Sequence, residues 1–182
     1  ITGGRIGTTG VDNGDVFGGG KGQARERYAE ASIANVKSTT VTVNYSDFDP
    51  TTVDSYITND GTFVDGKNLI TGSVYGGAED GHVIDSTNVI LTNGLIGHSI
   101  FGGGKGMGQY EGKLKDYFHP AQQYDTLVYS VTAGKVYGNT RVTMQNGYVM
   151  QNIYGGGNLG SVGKGNYSGG SDDYSTVGYG EM

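Results

Sequence analysis

Residues 88–104 read NVILTNGLIGHSIFGGG, and residues 141–157 repeat the pattern as RVTMQNGYVMQNIYGGG. The two stretches align without a gap at an offset of 53 residues, with valine, Asn-Gly, an aliphatic–aromatic pair and three glycines at matching places. Self-similarity at a fixed spacing is typical of proteins in which one structural unit stacks on the next. The pattern therefore indicates a structural repeat, and it decides the prediction of the fold.

Weaker copies of the unit extend through most of the chain. Residues 1–7 match 91–97, residues 16–22 match 100–106, and residues 69–78 carry a further aromatic–glycine pattern. The aromatic positions of the copies are separated by 58, 26 and 53 residues, which indicates a unit of about 26 residues, or a multiple of it, lengthened by loops. These positions are Phe17, Tyr75, Phe101 and Tyr154.

Each unit alternates short apolar runs with glycine-containing corners. Val89 and Leu91 point to one side of an extended chain and Ile90 to the other, a period of two that is typical of a β-strand. Asn93-Gly94 and Asn146-Gly147 tolerate positive φ and indicate sharp turns. We expect the glycine triplets to form corners with unusual φ, and close approach of a neighbouring backbone is the alternative.

A unit of this length cannot bury its apolar face alone, but it gains a core by stacking on its neighbours. The sequence therefore predicts an all-β protein, a parallel β-helix or β-solenoid with loop insertions. An antiparallel β-sandwich is the alternative, because Asn-Gly between two apolar runs also suits a hairpin. In the solenoid, equivalent residues of successive coils would lie about 4.8 Å apart, and the four aromatic residues would form one stack.

The repeat pattern also predicts the division of the chain. We expect a repeat domain over residues 1–160, a fragment that starts within a repeat, and a Gly/Ser/Tyr-rich continuation or tail over residues 161–182. The longest loops are expected at residues 23–35, 46–63 and 107–124. The first of them contains the one helix-like run, which is rich in Ala, Glu and Arg.

Composition excludes several classes of protein and partner. Glycine supplies 36 of the 182 residues, but two prolines and the lack of a three-residue period exclude collagen. Without cysteine, neither a disulfide framework nor a thiolate metal site can form. The formal net charge of −6 argues against nucleic-acid and anionic-membrane partners. No apolar run approaches the roughly 20 residues of a membrane-spanning helix, so membrane insertion is not expected.

The pattern Val/Ile-Tyr/Phe-Gly-Gly-Gly, followed by Gly-Asn-Thr-x-Val-Thr-Met-x-Asn-Gly, resembles the glycine-rich repeats of large bacterial cell-surface and secreted proteins, often described as adhesin-like. The clearest carriers are residues 86–106 and 135–160. The resemblance implies an extended β-helical stalk or adhesin, extracellular or at the cell surface, without a shared catalytic motif. No functional residue carries over, because the shared positions are the structural ones.

Loop carboxylates are the sequence candidates for a metal site. Asp47, Asp49, Asp172 and Asp173 could coordinate a hard cation such as Ca²⁺. The nearby Gly-Gly-x-x-Asp patterns lack the tandem nine-residue period of calcium-binding β-rolls, and solvated loop acids are the simpler interpretation. We therefore predict no cofactor and keep Ca²⁺ as the one candidate ion.

Catalytic motifs have little support in the sequence. Residues 61–67 match the spacing of a phosphate-binding loop, but Asn68 replaces the Ser or Thr that would bind Mg²⁺, and no helix pattern follows. Glycoside cleavage needs two carboxylates at a set separation, and nothing in the sequence brings a pair such as Glu79 and Asp80 together across a cleft. The three histidines show no metal-ligand spacing.

Tyrosines in the insertions are the candidates for ligand contact. Tyr110, Tyr117 and Tyr124 fall in one insertion, where their rings could stack on sugars or serve a protein interface. We predict a non-enzymatic extracellular repeat module, an adhesin or structural stalk, with host or microbial glycans or surface proteins as partners. The alternatives are a carbohydrate-active β-helix and, since cut sheets expose unpaired strand edges, a self-associating structural fibre.

Overall fold

The computed structural model describes residues 1–8, 13–23, 34–115, 118–119, 121–130 and 132–163. Within these residues the protein is all-β, with one short 3₁₀ helix at Pro50–Tyr56. The predicted all-β class is therefore confirmed. The helix-like run expected within residues 23–35 lies almost entirely outside the described residues.

The strands recur in sets that occupy equivalent places in the repeat. The first set is β1 (Arg5–Ile6), β4 (Leu69–Ile70), β7 (Leu95–Ile96) and β12 (Tyr148–Val149). The second set is β2 (Val16–Phe17), β5 (Val74–Tyr75), β8 (Ile100–Phe101) and β13 (Ile153–Tyr154). The third set is β3 (Thr39–Asn44), β6 (Thr87–Asn93) and β11 (Thr140–Met144). The remaining strands are β9 (Gln109–Lys115) and β10 (Gln123–Tyr129).

Each set forms its own parallel sheet, with its strands in chain order along the sheet. The orders are β1-β4-β7-β12, β2-β5-β8-β13 and β3-β6-β11. Isolated parallel bridges add a fourth row of contacts through Val36, Val83, Val136 and Val162. Residues matched by the 53-residue offset are direct neighbours, because Val142 pairs with Val89 and Tyr154 with Phe101. The sequence alignment therefore gives the register of the sheets.

Pairing between repeats is parallel throughout the described chain, whereas the alternative β-sandwich required antiparallel neighbours. The antiparallel contacts that the structure shows are the β9–β10 hairpin and the bridge between Ile57 and Phe63. The bridge closes the insertion at residues 46–63, and the hairpin spans most of the insertion at 107–124 and continues to Tyr129. The hairpin corrects the prediction of a loop over 107–124, since strand β9 occupies residues 109–115 and pairs with β10 over seven residue pairs.

One hydrophobic cluster takes side chains from all three parallel sheets. Val89 and Leu91 are fully buried, while Ile90 between them is half-buried, as the period of two predicts. The insertion at residues 46–63 is more than a loop, because Phe48, Tyr56 and Phe63 are buried in the same cluster. Aromatic side chains from outside the repeat thus complete its core.

The Asn-Gly corners of successive repeats lie next to one another. Gly94 has φ +135° and Gly147 has φ +105°, values that favour glycine. Asn146 donates from Nδ2 to Asn93 Oδ1 at 3.3 Å, and Asn93 donates to the Tyr45 and Phe48 carbonyls at 2.9 and 2.7 Å. The asparagines therefore tie the corner to its neighbour and to the start of the insertion.

The glycine triplets have a different role from the predicted corner. None of their glycines has φ in the left-handed region, and their N–H groups continue the parallel hydrogen bonding beyond the two-residue strands. Gly76 donates to the Phe101 carbonyl at 2.8 Å and Gly102 to the Tyr154 carbonyl at 2.9 Å. The Thr87 hydroxyl also donates to the Gly102 carbonyl. Close backbone approach, the alternative interpretation, is the reason for glycine here.

Two glycines at the same repeat position provide a matched test. A Cβ at Gly102 would collide with the Gly155 carbonyl oxygen, whereas a Cβ at Gly155 would meet no described atom within 4 Å. We expect Gly102→Ala to lower the free energy of unfolding by about 1–3 kcal/mol, and Gly155→Ala by less than about 0.5 kcal/mol. Urea unfolding of both variants measures the difference. Equal effects would contradict the proposed role of close backbone approach.

Candidate functional site

The aromatic residues of the second strand set form one continuous stack. Phe17 lies 4.9 Å from Tyr75, Tyr75 lies 4.8 Å from Phe101, and Phe101 lies 4.9 Å from Tyr154, measured between ring centroids. Their planes differ by 5–11°. The ring spacing equals the usual separation of neighbouring strands in a sheet. The strand pairing therefore produces the aromatic stack that the sequence repeat predicts.

Strand alternation places this stack on the side of the sheet away from the core. Val74 and Ile100 belong to the hydrophobic cluster, and the residues that follow them, Tyr75 and Phe101, point the other way. Exposure of the rings depends on their neighbours. Tyr75 is 3% exposed and Phe101 8%, because each lies between two rings, whereas Tyr154 at the end of the stack is 44% exposed.

A cleft of about 560 Å³ lies beside the stack. Its volume falls within the range of about 300–1,000 Å³ that is usual for small-molecule sites. The rings of Tyr75, Phe101 and Tyr154 line it together with polar side chains. The polar lining residues are Asp15, Ser73, His98, Ser99, Lys105, Gln151, Asn152 and Asn158. The cleft therefore combines aromatic surface with many hydrogen-bonding groups.

The charged groups in the cleft are paired. Lys105 donates from Nζ to Asp15 Oδ2 at 2.8 Å, and the Ser73 backbone N–H donates to Asp15 Oδ1 at 2.8 Å. Burial lowers the pKa of Lys105, but the hydrogen bond and charge of Asp15 outweigh that effect and raise the pKa above its ordinary value of 10.5. Lys105 Nζ also lies 5.9 Å from the Phe17 ring centroid. This ion pair thus links two repeats that are distant in sequence.

The Tyr75 phenol is held in its neutral form at the same place. Burial raises its pKa above 10.0, and the negative charge of Asp15 raises it further. The positive charge of Lys105 and hydrogen bonds with Ser73 and Asn158 lower the pKa and offset part of this increase. A neutral hydroxyl beside a closed ion pair makes this part of the cleft polar.

The described calcium candidates, Asp47 and Asp49, do not line the cleft. Asp47 accepts a hydrogen bond from Asn68 at 3.1 Å, and Asp49 accepts from the Thr51 backbone N–H and hydroxyl at 2.9 and 2.8 Å. The Thr51 bonds lower the pKa of Asp49, which caps the 3₁₀ helix. Across the residues that the structure describes, no three acidic or histidine side chains group as a metal site. Asp172 and Asp173 lie outside the described residues.

The tyrosines predicted to contact a ligand lie on the hairpin or outside the described chain. Tyr110 in β9 pairs in register with Val128, and the Cβ position of Gly112 lies 3.1 Å from its ring. Tyr124 lies in β10 opposite Leu114, and Tyr117 is outside the described residues. Tyr110 is not among the residues lining the cleft. The cleft lies on the repeat itself, so its polar side chains are not among the candidates that the insertions supply.

The carboxylates considered for catalysis also have structural partners. Glu79 lies 4.0 Å from Lys21, and Asp80 Oδ1 accepts from the Gly108 backbone N–H at 2.8 Å. In the segment that matches a phosphate-binding loop, Phe63 is buried in the core. Lys67, at the end of the same segment, has its Nζ 4.7 Å from the Tyr56 ring centroid. That lysine therefore packs on an aromatic ring of the insertion.

His82 is the fully buried histidine of the described chain. Its ring lies 6.0 Å from that of Tyr137 in an edge-to-face arrangement. Burial lowers its pKa below 6.5; a hydrogen bond with the Thr132 backbone opposes this effect and the charge of Lys135 adds to it. The folded state is therefore more stable when the His82 imidazole is neutral.

Stability should depend on pH through His82. Because the folded pKa is lowered, the unfolded chain binds a proton more readily than the folded chain below pH 6.5. We expect the free energy of unfolding to fall as the pH drops from 6.5 towards 5, and His82→Gln to show a shallower dependence. Urea unfolding from about pH 8 to about pH 5 tests this. The same pH dependence in both proteins would rule His82 out as the cause.

No family model, curated protein or solved structure matches the chain. In the part of the chain that the structure describes, no helix has the length and apolar character that crossing a membrane requires. We therefore base the functional proposal on the chemistry of the cleft and on the arrangement of the repeats.

Proposed function

We propose that the chain is a non-enzymatic repeat module of a large extracellular or cell-surface protein, folded as a parallel β-solenoid and acting as an adhesin or structural stalk. The observation that carries the binding role is the cleft beside the aromatic stack, where ring surface and hydrogen-bonding side chains meet and the charges are paired. The repeat carries the structural role, because each coil extends the same sheets by one strand.

The order of the strands supports a solenoid. After β4 and β5 the chain passes through Val83 to β6, and after β7 and β8 it passes through Val136 to β11. Each step pairs in parallel with the same step of the neighbouring coil. A chain that winds in this way gains stability from contacts between adjacent units. Such a module suits an extended protein that holds binding surfaces away from a cell.

The chemistry of the cleft favours binding over cleavage. Glycoside hydrolysis uses two carboxylates separated by about 5–10 Å, one as an acid and one as a base or nucleophile. Asp15 is the one carboxylate among the described residues that line the cleft, and Lys105 and the Ser73 N–H occupy both of its oxygens. A carboxylate held in this way orients its neighbours and is poorly placed to take a proton.

The test of this function separates binding from cleavage. The purified protein is applied to an array of host and microbial glycans, with and without Ca²⁺, and every glycan that is retained is then incubated with the protein and examined for shortened products. We expect intact glycans after prolonged incubation, because the cleft lacks a second carboxylate among its described residues. Release of new reducing ends or unsaturated sugars would contradict the non-enzymatic role.

Self-association into a fibre is a second candidate, favoured by the edge of the last described repeat, where no further described strand pairs with β11, β12 or β13. This edge exposes large apolar side chains next to strands β11, β12 and β13. They are Met144, Tyr148, Met150, Ile153, Tyr154 and Leu159. Unpaired strand edges with apolar side chains are templates for another chain, and the repeated pattern makes β2 of a second copy a suitable partner for β13.

Sedimentation velocity over a wide range of protein concentrations tests end-to-end association. We expect the average mass to rise with concentration, and Ile153→Lys to keep the protein monomeric, since a charge at the strand edge opposes pairing. Leu127→Lys is the matched control, because Leu127 is also exposed but lies on the β9–β10 hairpin. A wild-type protein that stays monomeric at every concentration would contradict the fibre.

A further inference from the structure

We propose that the cleft binds an uncharged glycan, with the exposed face of Tyr154 stacking on a pyranose ring and amide side chains bonding its hydroxyls. This inference rests on the proposed adhesin role and names its ligand class and site. The site lies on the repeat itself, on the face that carries the aromatic stack. It does not include Tyr110 of the β9–β10 hairpin, where the sequence predicts ligand contact.

The first support is the asymmetry of the aromatic stack. Phe101 covers one face of Tyr154 at 4.9 Å, and no other described ring stacks on the opposite face. The ring is 44% exposed and lines the cleft. The face of an aromatic ring carries negative charge density, which attracts the weakly positive C–H groups on the flat side of a pyranose. The face of Tyr154 that Phe101 does not cover can therefore stack on a sugar ring.

The second support is the type of polar group beside that ring. Gln151, Asn152 and Asn158 line the cleft and are exposed. Each amide offers both donors and acceptors, as sugar hydroxyls do. Gln151 Oε1 accepts from the Ser99 hydroxyl at 3.3 Å, and Asn158 bonds the Tyr75 hydroxyl and donates to the weak acceptor Met107 Sδ at 3.7 Å. The backbone N–H of Asn152 donates to the Ser99 hydroxyl, but within the described chain no hydrogen bond of its side-chain amide is found. The Asn152 side chain can therefore bond a ligand without breaking an internal bond.

The third support is the charge of the cleft. Lys105 and Asp15 form a close pair whose side chains are 26% and 20% exposed. A sulfate, phosphate or carboxylate ligand would have to compete with Asp15 for the ammonium group, and a cation would have to compete with Lys105. A neutral polyhydroxyl ligand competes with neither side chain of the ion pair. Its hydroxyl oxygens can also accept from the remaining Nζ hydrogens of Lys105. The pairing therefore selects against charged glycans.

The cleft suits a chain of sugars better than a single one. Its volume of about 560 Å³ exceeds what one monosaccharide would fill. Ser73, Ser99 and Asn152 each stand two residues before a ring of the stack, but Ser73 and Ser99 are buried and accept from backbone N–H groups of the next repeat, so Asn152 is the exposed member of this row. We therefore expect affinity to rise from a monosaccharide to a short oligosaccharide.

The inference is tested by calorimetric titration of the full chain. The ligands are neutral oligosaccharides of glucose, galactose, mannose and N-acetylglucosamine, and, for comparison, sulfated and uronic-acid oligosaccharides. We expect saturable binding of at least one neutral series that changes little with salt, since screening acts on charges. Tyr154→Ala should weaken it by about tenfold or more, which corresponds to about 1.4 kcal/mol. Tyr154→Phe should retain binding, because it keeps the ring.

Tyr148→Ala is the matched control, since Tyr148 lies on the same coil and is 41% exposed but does not line the cleft. It should bind as the wild type does, and circular dichroism should show that both alanine variants are folded. Binding that survives Tyr154→Ala, a preference for charged oligosaccharides, or no binding of any neutral series would overturn the inference. Cleaved products would instead overturn the non-enzymatic role, so the two failures are distinguishable.

Discussion

Close parallel hydrogen bonding between successive repeats is the constraint on which the rest of the structure depends. It persists beyond the short strands, where Gly19 donates to Gly77 and Gly77 to Gly103 at 3.0 Å. Side chains at these places would push the repeats apart, since a Cβ at Gly77 would lie 2.5 Å from the Gly104 nitrogen. The glycines are therefore a consequence of the spacing between repeats, and the unusual composition of the chain follows from it.

The same spacing produces the aromatic stack and, with it, the cleft. Rings attached to neighbouring parallel strands must lie at the strand separation, and 4.8–4.9 Å is also a favourable distance between stacked rings. Stacking hides the inner rings and leaves the last, Tyr154, half exposed. The stack that stabilises the fold thus presents an aromatic surface at Tyr154, next to the polar side chains of the last described repeat.

The insertions differ in what they contribute to the fold. Phe63, in the insertion at residues 46–63, is almost fully buried and lies against Gly97, and the fully buried Tyr45 just before that insertion lies against Gly94. The β9–β10 hairpin, by contrast, carries an exposed Leu127 and makes its own antiparallel pairing. The first insertion therefore completes the core, whereas the hairpin adds no residue to the described hydrophobic cluster.

The sequence alone determined the all-β class, the register of equivalent residues and the stack of Phe17 to Tyr154, because each depends on a pattern repeated along the chain. It also marked Gly94 and Gly147 as turns, since positive φ is a local property. Only the tertiary structure decided that the glycine triplets serve close contact between repeats and that Lys105 meets Asp15, 90 residues away. Those features depend on which repeats adjoin and how far a side chain reaches, and no local pattern records either.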